Sequence, residues 1–158
     1  MKTKKNLGVH FSDSDSGGSD AWQTPDDLFA KLNEVFRFTL DAAASKENAK
    51  CEKFFTQENN ALEQSWAGHV AFLNPPYSKL KQFLIKAHDE AKQNGATVVC
   101  LIPSRTDTVA WHDYAARGEI RFLRGRVKFF QPGAAKQNGA PFPSALVVFR
   151  PRLNDVKL

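Results

Sequence analysis

The stretch V-A-F-L-N-P-P-Y-S, Val70 to Ser78, sets an amide, two prolines and an aromatic ring between an apolar strand-like run and an amphipathic helical one. An aromatic amino group is a poor nucleophile, because its lone pair is delocalised into the ring until its hydrogens are held out of plane. Two acceptors can hold them. Asn74 offers a side-chain oxygen and Pro75 a backbone carbonyl, while Pro76 stiffens the segment so that both can point at one spot. Such preorganised acceptors favour the positive charge that grows on the attacking nitrogen, and neither needs to titrate. Tyr77 adds a face for a flat base, worth roughly 1 to 3 kcal/mol per stacked base. That gain matters if the base must first leave a duplex. The same four residues also suit an ordinary turn, since Asn-Pro starts turns and Pro-Pro extends surface loops.

The elements that would position this loop are legible on either side. Val70 to Leu73 is too apolar for an exposed strand and should lie centrally in a sheet. Ser78 is a candidate cap for a helix from Lys79 to about Gln93, with Leu80, Phe83, Leu84 and Ala87 facing inward and Gly95 as its stop. Upstream, Thr24 can cap a helix with Pro25 at its first position, whose inward face carries Leu28, Leu32 and Val35. Phe36, Phe38 and Leu40 then alternate like a strand that ends at Asp41, and E-K-F-F-T is a second short strand candidate. A-T-V-V-C-L-I is a buried strand, followed by a helix around Asp107 to Arg117. Strands near I-R-F-L, R-V-K-F-F and S-A-L-V-V-F complete the chain, the last two joined by a 13-residue loop rich in Gly and Pro. A loop of that length is more often functional or mobile than merely connective. Alternating strands and helices predict an α/β domain with an open, largely parallel sheet and a terminal antiparallel hairpin. Ligands of such sheets gather at the carboxyl ends of the strands, where Asp41 and Asn74 both fall.

The totals bound this reading. At 158 residues with 42% apolar content and 13 Phe, the chain furnishes one domain and one core. Residues 1–20, with S-D-S-D-S-G-G-S-D, read as a disordered tail, 21–152 as the domain and 153–158 as a second tail. Cys100 sits in an apolar run and reads as a small buried hydrophobe. With Cys51 the only other cysteine, neither a disulfide framework nor a zinc site is expected. No apolar signal core or membrane span is visible, so the expected location is cytoplasmic. Twenty-two Lys and Arg against 17 Asp and Glu leave a net charge of +5, which suits a polyanionic partner without demanding one.

Several motifs in order carry a resemblance to a known family: W-Q-T-P-D-D-L-F, F-T-L-D-A-A-A-S, F-F-T-Q-E-N-N-A-L, S-W-A-G, L-N-P-P-Y-S, R-G-R-V-K-F and A-P-F-P-S-A-L-V-V-F. Over most of Ala21 to Arg150 the chain resembles the small phage-type DNA N-6-adenine methyltransferases (Dam). The resemblance implies S-adenosylmethionine as methyl donor and the exocyclic amino group of adenine in double-stranded DNA as acceptor. It also implies a Rossmann-like methyltransferase sheet of about seven strands, the last pair antiparallel, and Asn74, Pro75, Pro76 and Tyr77 as the catalytic loop. Trp22, Thr24 and Pro25 would lie near the methionine end of the donor, and Asp41 would contact its amino group. Ala42 and Ala43 follow in a cofactor loop that more often carries glycines. Glu58, seventeen residues after Asp41, is the candidate for the ribose hydroxyls, and Asn60 for the adenine ring of the donor. Each of these polar residues also suits a cap or a turn.

For DNA, Arg117, Arg121, Arg124, Arg126 and Lys128 face only Glu119 as an opposing charge within their segment. Arg124, Arg126 and Lys128 are candidate phosphate contacts, although charged edge strands also keep proteins soluble. Lys136, Gln137 and Asn138 on the long loop are candidates for reading base edges. Ser104 and Arg105 are candidates for the base pocket, whereas Trp111 and His112 are read as packing residues. No metal is expected, and a monomer is favoured. Three alternatives stay open: an RNA adenine methyltransferase, a protein glutamine methyltransferase, and a nucleic-acid-binding module whose catalysis is lost.

Overall fold

The computed structural model of this chain describes residues 20–131 and 137–151. The expected terminal tails fall almost entirely outside these residues, as does Lys136.

Helix α1 spans Asp26–Phe36, with Pro25 at the cap position and no side-chain cap. Thr24 does not cap it; its side chain is instead buried, at 4% exposure. Leu32 is buried as expected, and Leu28, Phe29 and Phe36 pack beside it, but Val35 is 68% exposed. The aromatic residues decide the facing: Phe29 and Phe36 both stack on Phe38, at 5.4 and 5.8 Å, which turns Val35 outward.

The sheet has five strands: β1 Leu40–Asp41, β2 Val70–Leu73, β3 Thr97–Pro103, β4 Glu119–Phe122 and β5 Ser144–Phe149. Their order is β1-β2-β3-β5-β4, so V-A-F-L is central as its composition requires. The β1–β2 and β2–β3 pairs are parallel, the β3–β5 and β4–β5 pairs antiparallel. The sheet is therefore mixed and smaller than the expected seven strands. Two expected strands shrink to single bridges: E-K-F-F-T contributes Phe54 opposite Asp41, and R-V-K-F-F contributes Phe130 opposite Gln23. The outer neighbour of β5 is β4 rather than R-V-K-F-F. Val127 and Phe129 are buried while Arg126 and Lys128 are exposed, so that segment keeps the alternation of a strand. Its backbone bonds go to Ala140 and Gln23 and not into the sheet.

Alternation along β3 divides the core into two layers. Val98, Cys100 and Ile102 pack with Leu73, Leu84, Trp66 and Phe149, and Val99 and Leu101 pack with Phe72, Phe129, Leu146 and Val148. Helix α2, Leu80–Asn94, covers the first layer with Phe83, Leu84, Ala87 and Ala91, a helical spacing. Gly95 ends it in the left-handed conformation at φ 72°, and the Ala96 amide donates to the Glu90 carbonyl at 3.1 Å. Its start differs from expectation: a 3-10 turn at Tyr77–Lys79 precedes it, and Ser78 does not cap it. Helix α3 is short, Val109–Asp113, capped by the Thr108 hydroxyl accepting from the Trp111 amide, and a 3-10 turn Ala115–Arg117 follows. Trp111 is buried in the core, and both cysteines are free thiols, Cys100 fully buried. Among the described residues no helix is long and apolar enough to cross a membrane.

Candidate active site

Parallel pairing of β1 with β2 sets Asp41 opposite Phe72, so Asp41 and Asn74 emerge at the same edge of the sheet. Pro75 is buried. The Asn74 amide nitrogen donates to the backbone carbonyl of Trp22 at 3.0 Å, which fixes the direction of the amide. Among the described residues its side-chain oxygen accepts no hydrogen bond, and neither does the Pro75 carbonyl. The two acceptors expected from the sequence thus carry no hydrogen bond among the described residues.

Trp22 belongs to a strap, Asp20 to Thr24, laid across this edge. The Asp20 carboxylate accepts from the Ser78 amide at 3.1 Å and the Ser78 hydroxyl at 2.5 Å. Gln23 exchanges two backbone bonds of 2.9 Å with Phe130. The strap therefore joins the Asn-Pro-Pro-Tyr loop to the extended segment before β5.

Beneath the strap lies a cleft of about 920 Å³, within the size range of small-molecule and cofactor sites. Trp22, Thr24, Asp41, Ala42, Ala43, Glu58, Asn60, Asn74 and Pro76 all line it; Pro25 and Pro75 do not. Asp41 is 3% exposed and accepts from the Ala43 amide at 3.3 Å and the Lys50 amide at 3.0 Å. Burial pushes its carboxyl above the ordinary aspartate value of 3.8, with the two amides and the Lys50 charge opposing. Lys50 also pairs with Asp26, which ties the segment after β1 to the start of α1. A buried carboxylate whose direct bonds come from neutral amides suits a cationic ligand group.

Glu58 and Asn60 stand on a turn braced by Asn59, whose side-chain oxygen accepts from the Thr56 amide at 3.0 Å and hydroxyl at 2.9 Å. Asn60 takes the left-handed conformation at φ 51°, which asparagine tolerates, and both residues are exposed to the cleft. Asp20 carries no local signal, since its partner Ser78 is 58 positions away, and Phe142 shows only as part of the A-P-F-P motif.

Tyr77 does not lie open as a bare stacking platform. Its ring meets Trp22 and Phe142 edge-on, at 6.2 and 5.5 Å, and its hydroxyl is buried. Burial raises its pKa, with the nearby Arg105 charge opposing. The Arg105 guanidinium lies 5.8 Å from the Phe142 ring.

Arg124, Arg126, Lys128, Gln137 and Asn138 are exposed. Among the described residues the three cations form no ion pair, whereas Arg121 and Arg150 are both held by Glu119. No group of three or more His, Cys, Asp or Glu side chains suited to a metal occurs among the described residues.

These features define an α/β protein with a cleft at the carboxyl edge of its sheet, bordered by Asn74 and Pro76 of an Asn-Pro-Pro-Tyr loop. The family model described as DNA N-6-adenine-methyltransferase (Dam) matches residues 12–157, and the chain belongs to that family. It is 34% identical to the DNA N-6-adenine-methyltransferase of Escherichia phage T1, over 67% of this chain and 55% of that protein. It is 31% identical to the DNA N-6-adenine-methyltransferase of Haemophilus phage HP1 (strain HP1c1), over 89% of this chain and 84% of that protein. The chain thus spans about half the length of the phage T1 relative and most of the phage HP1 one.

Proposed function

We propose that the protein transfers a methyl group from S-adenosylmethionine to the N6 amino group of adenine in double-stranded DNA. The observation that carries this reading is the Asn74 amide, its nitrogen spent on the Trp22 carbonyl and its oxygen open beside a cleft of cofactor size. S-adenosylmethionine, when bound, supplies an electrophilic methyl group on a sulfonium.

The residues of the cleft fit that donor. Asp41 offers a buried carboxylate to its amino group, with Trp22 and Thr24 alongside at the methionine end. Glu58 and Asn60 line the same cleft, and in this reading they serve the ribose hydroxyls and the adenine ring. Ala42 is fully buried, its amide bonded to the Phe72 carbonyl at 2.9 Å, so this loop serves the donor mainly through its shape and through Asp41.

Asn74 and the Pro75 carbonyl hold the two hydrogens of the target amino group and stabilise the positive charge that grows on its nitrogen. Neither takes the proton, which passes to water. Arg124, Arg126 and Lys128 bind phosphates and set the register of the duplex, and Asn138 reads a base edge.

The test is transfer of a radiolabelled methyl group to unmethylated double-stranded DNA, with RNA and protein as parallel acceptors. Label appears in DNA as N6-methyladenine. Asn74→Ala lowers kcat by about 10²- to 10³-fold while S-adenosylmethionine still binds. Label in RNA or protein but not DNA, or full turnover by Asn74→Ala, overturns the reading.

A further inference from the structure

Four buried side-chain polar atoms among the described residues lack a hydrogen-bond partner: Trp22 Nε1, the Tyr77 hydroxyl, Ser104 Oγ and Ser144 Oγ. Buried polar atoms are partnered in the large majority of cases, so four in one molecule call for a cause. All four belong to residues gathered about one turn. Trp22 stacks on Phe142 at 5.5 Å and 18°, and Tyr77 meets that ring edge-on. The Ser104 amide donates to the Pro143 carbonyl at 2.9 Å, and Ser144 follows directly, paired in register with Pro103.

Ser144 is 1% exposed and heads a strand that is otherwise wholly apolar. Leu146 and Val148 face the layer that holds Phe129, Phe142 and Trp22, so alternation turns Ser144 toward the same layer. An alanine there would pack as well and leave no hydroxyl dehydrated. Trp22 joins this cluster to the catalytic edge, because it also lines the cleft and holds Asn74 through its carbonyl. The cluster has flat apolar faces and hydroxyl and indole groups at its edges, and a guanidinium stands over Phe142. That is the complement of a planar nitrogen heterocycle.

We infer that Ser104 and Ser144, with Trp22 Nε1 and the Tyr77 hydroxyl, form the wall that reads the edge of the extruded target adenine, and that Phe142 holds the place of that base in the free protein. The inference rests on the proposed methyl transfer to DNA and adds the residues that select the base. The unpartnered hydroxyls weaken the free protein and are satisfied by the ring nitrogens of the base.

The experiment compares Ser144→Ala and Ser104→Ala with the unsubstituted protein in three measurements: Tm without DNA, Kd for S-adenosylmethionine, and kcat/KM on unmethylated double-stranded DNA. A hydroxyl with a structural role would lose a bond and lower Tm. The pocket predicts a Tm equal or higher, an unchanged Kd, and kcat/KM reduced about 10-fold by each substitution. A lowered Tm, a weakened Kd, or an unchanged kcat/KM overturns the pocket while leaving the proposed function standing. Absence of methyl transfer to DNA by the unsubstituted protein overturns the function and the pocket's ligand with it.

Discussion

The side-chain nitrogen of Asn74 is hydrogen-bonded at 3.0 Å to the backbone carbonyl of Trp22, 52 positions earlier in the chain. This one contact decides which end of the amide is left without a partner among the described residues. It depends on the strap from Asp20 to Thr24 lying where it does, and Asp20 holds that strap through Ser78.

Loosening the strap should therefore reach the chemistry without touching any reacting group. Asp20→Ala removes two hydrogen bonds at an exposed site and should cost only about 1 kcal/mol of stability. It should lower kcat several-fold more than it raises the KM for DNA, with Asp20→Asn restoring part of the loss. Steady-state kinetics on the two variants checks this, and equal kcat values for Asp20→Ala and the unsubstituted protein would remove the positioning role.

If Asp41 holds the donor's amino group as proposed, donor binding should depend on pH. Burial holds its folded pKa above 3.8, so the folded protein keeps a proton at a pH where the unfolded chain has lost it. Stability without donor accordingly falls as pH rises from about the unfolded value through the raised one. A bound ammonium offsets that loss once the carboxylate is ionised. The increase in Tm given by S-adenosylmethionine should therefore shrink as pH is lowered into this window. Asp41→Asn should weaken donor binding about 10-fold and remove the pH dependence of the shift, since one pKa unit or one lost charge pair is of the order of 1.4 kcal/mol.

Arg124 and Arg126 carry no ion pair among the described residues and stand exposed on the turn at Gly125. If both contact phosphates, the double alanine variant should weaken binding to all duplexes alike. The slope of log K against log salt should become shallower by about 2, near 0.9 for each phosphate contact. Fluorescence anisotropy over a salt series measures it, and an unchanged slope would place the phosphates elsewhere.

Gly118 supports the sheet at its far end. A Cβ at this position would lie 2.7 Å from Val147 Cγ1 and 3.1 Å from the Phe149 ring, both fully buried on β5. Gly118→Ala should cost about 1 to 3 kcal/mol by overpacking. Calorimetry should show the fall in Tm, and the affinity for S-adenosylmethionine should stay within twofold at a temperature where the variant is folded.

Local chemistry made part of this protein legible from its residues alone. Pro75 and Pro76 restrict the chain wherever they fall, Gly95 takes a left-handed φ at low cost, and apolar runs such as Val70 to Leu73 have nowhere to go but the centre of a sheet. Asp41 and Asn74 could be placed together because parallel strands deliver their carboxyl ends to one edge. Pairing over long distances was another matter. R-V-K-F-F has the alternation of a strand and buries Val127 and Phe129 like one, yet β4 takes the place beside β5. Alternation specifies which side chains turn inward, but not which backbone supplies the hydrogen bonds. Thr24 likewise had the spacing of a helix cap and lies instead in the wall of the cleft. The sequence by itself determined the Asn-Pro-Pro-Tyr loop and its position at a strand end, because those follow from bond geometry and burial within a few residues. Only the tertiary structure decided the direction of the Asn74 amide and the unpartnered state of Ser144, because each depends on groups brought near by packing and not by chain order.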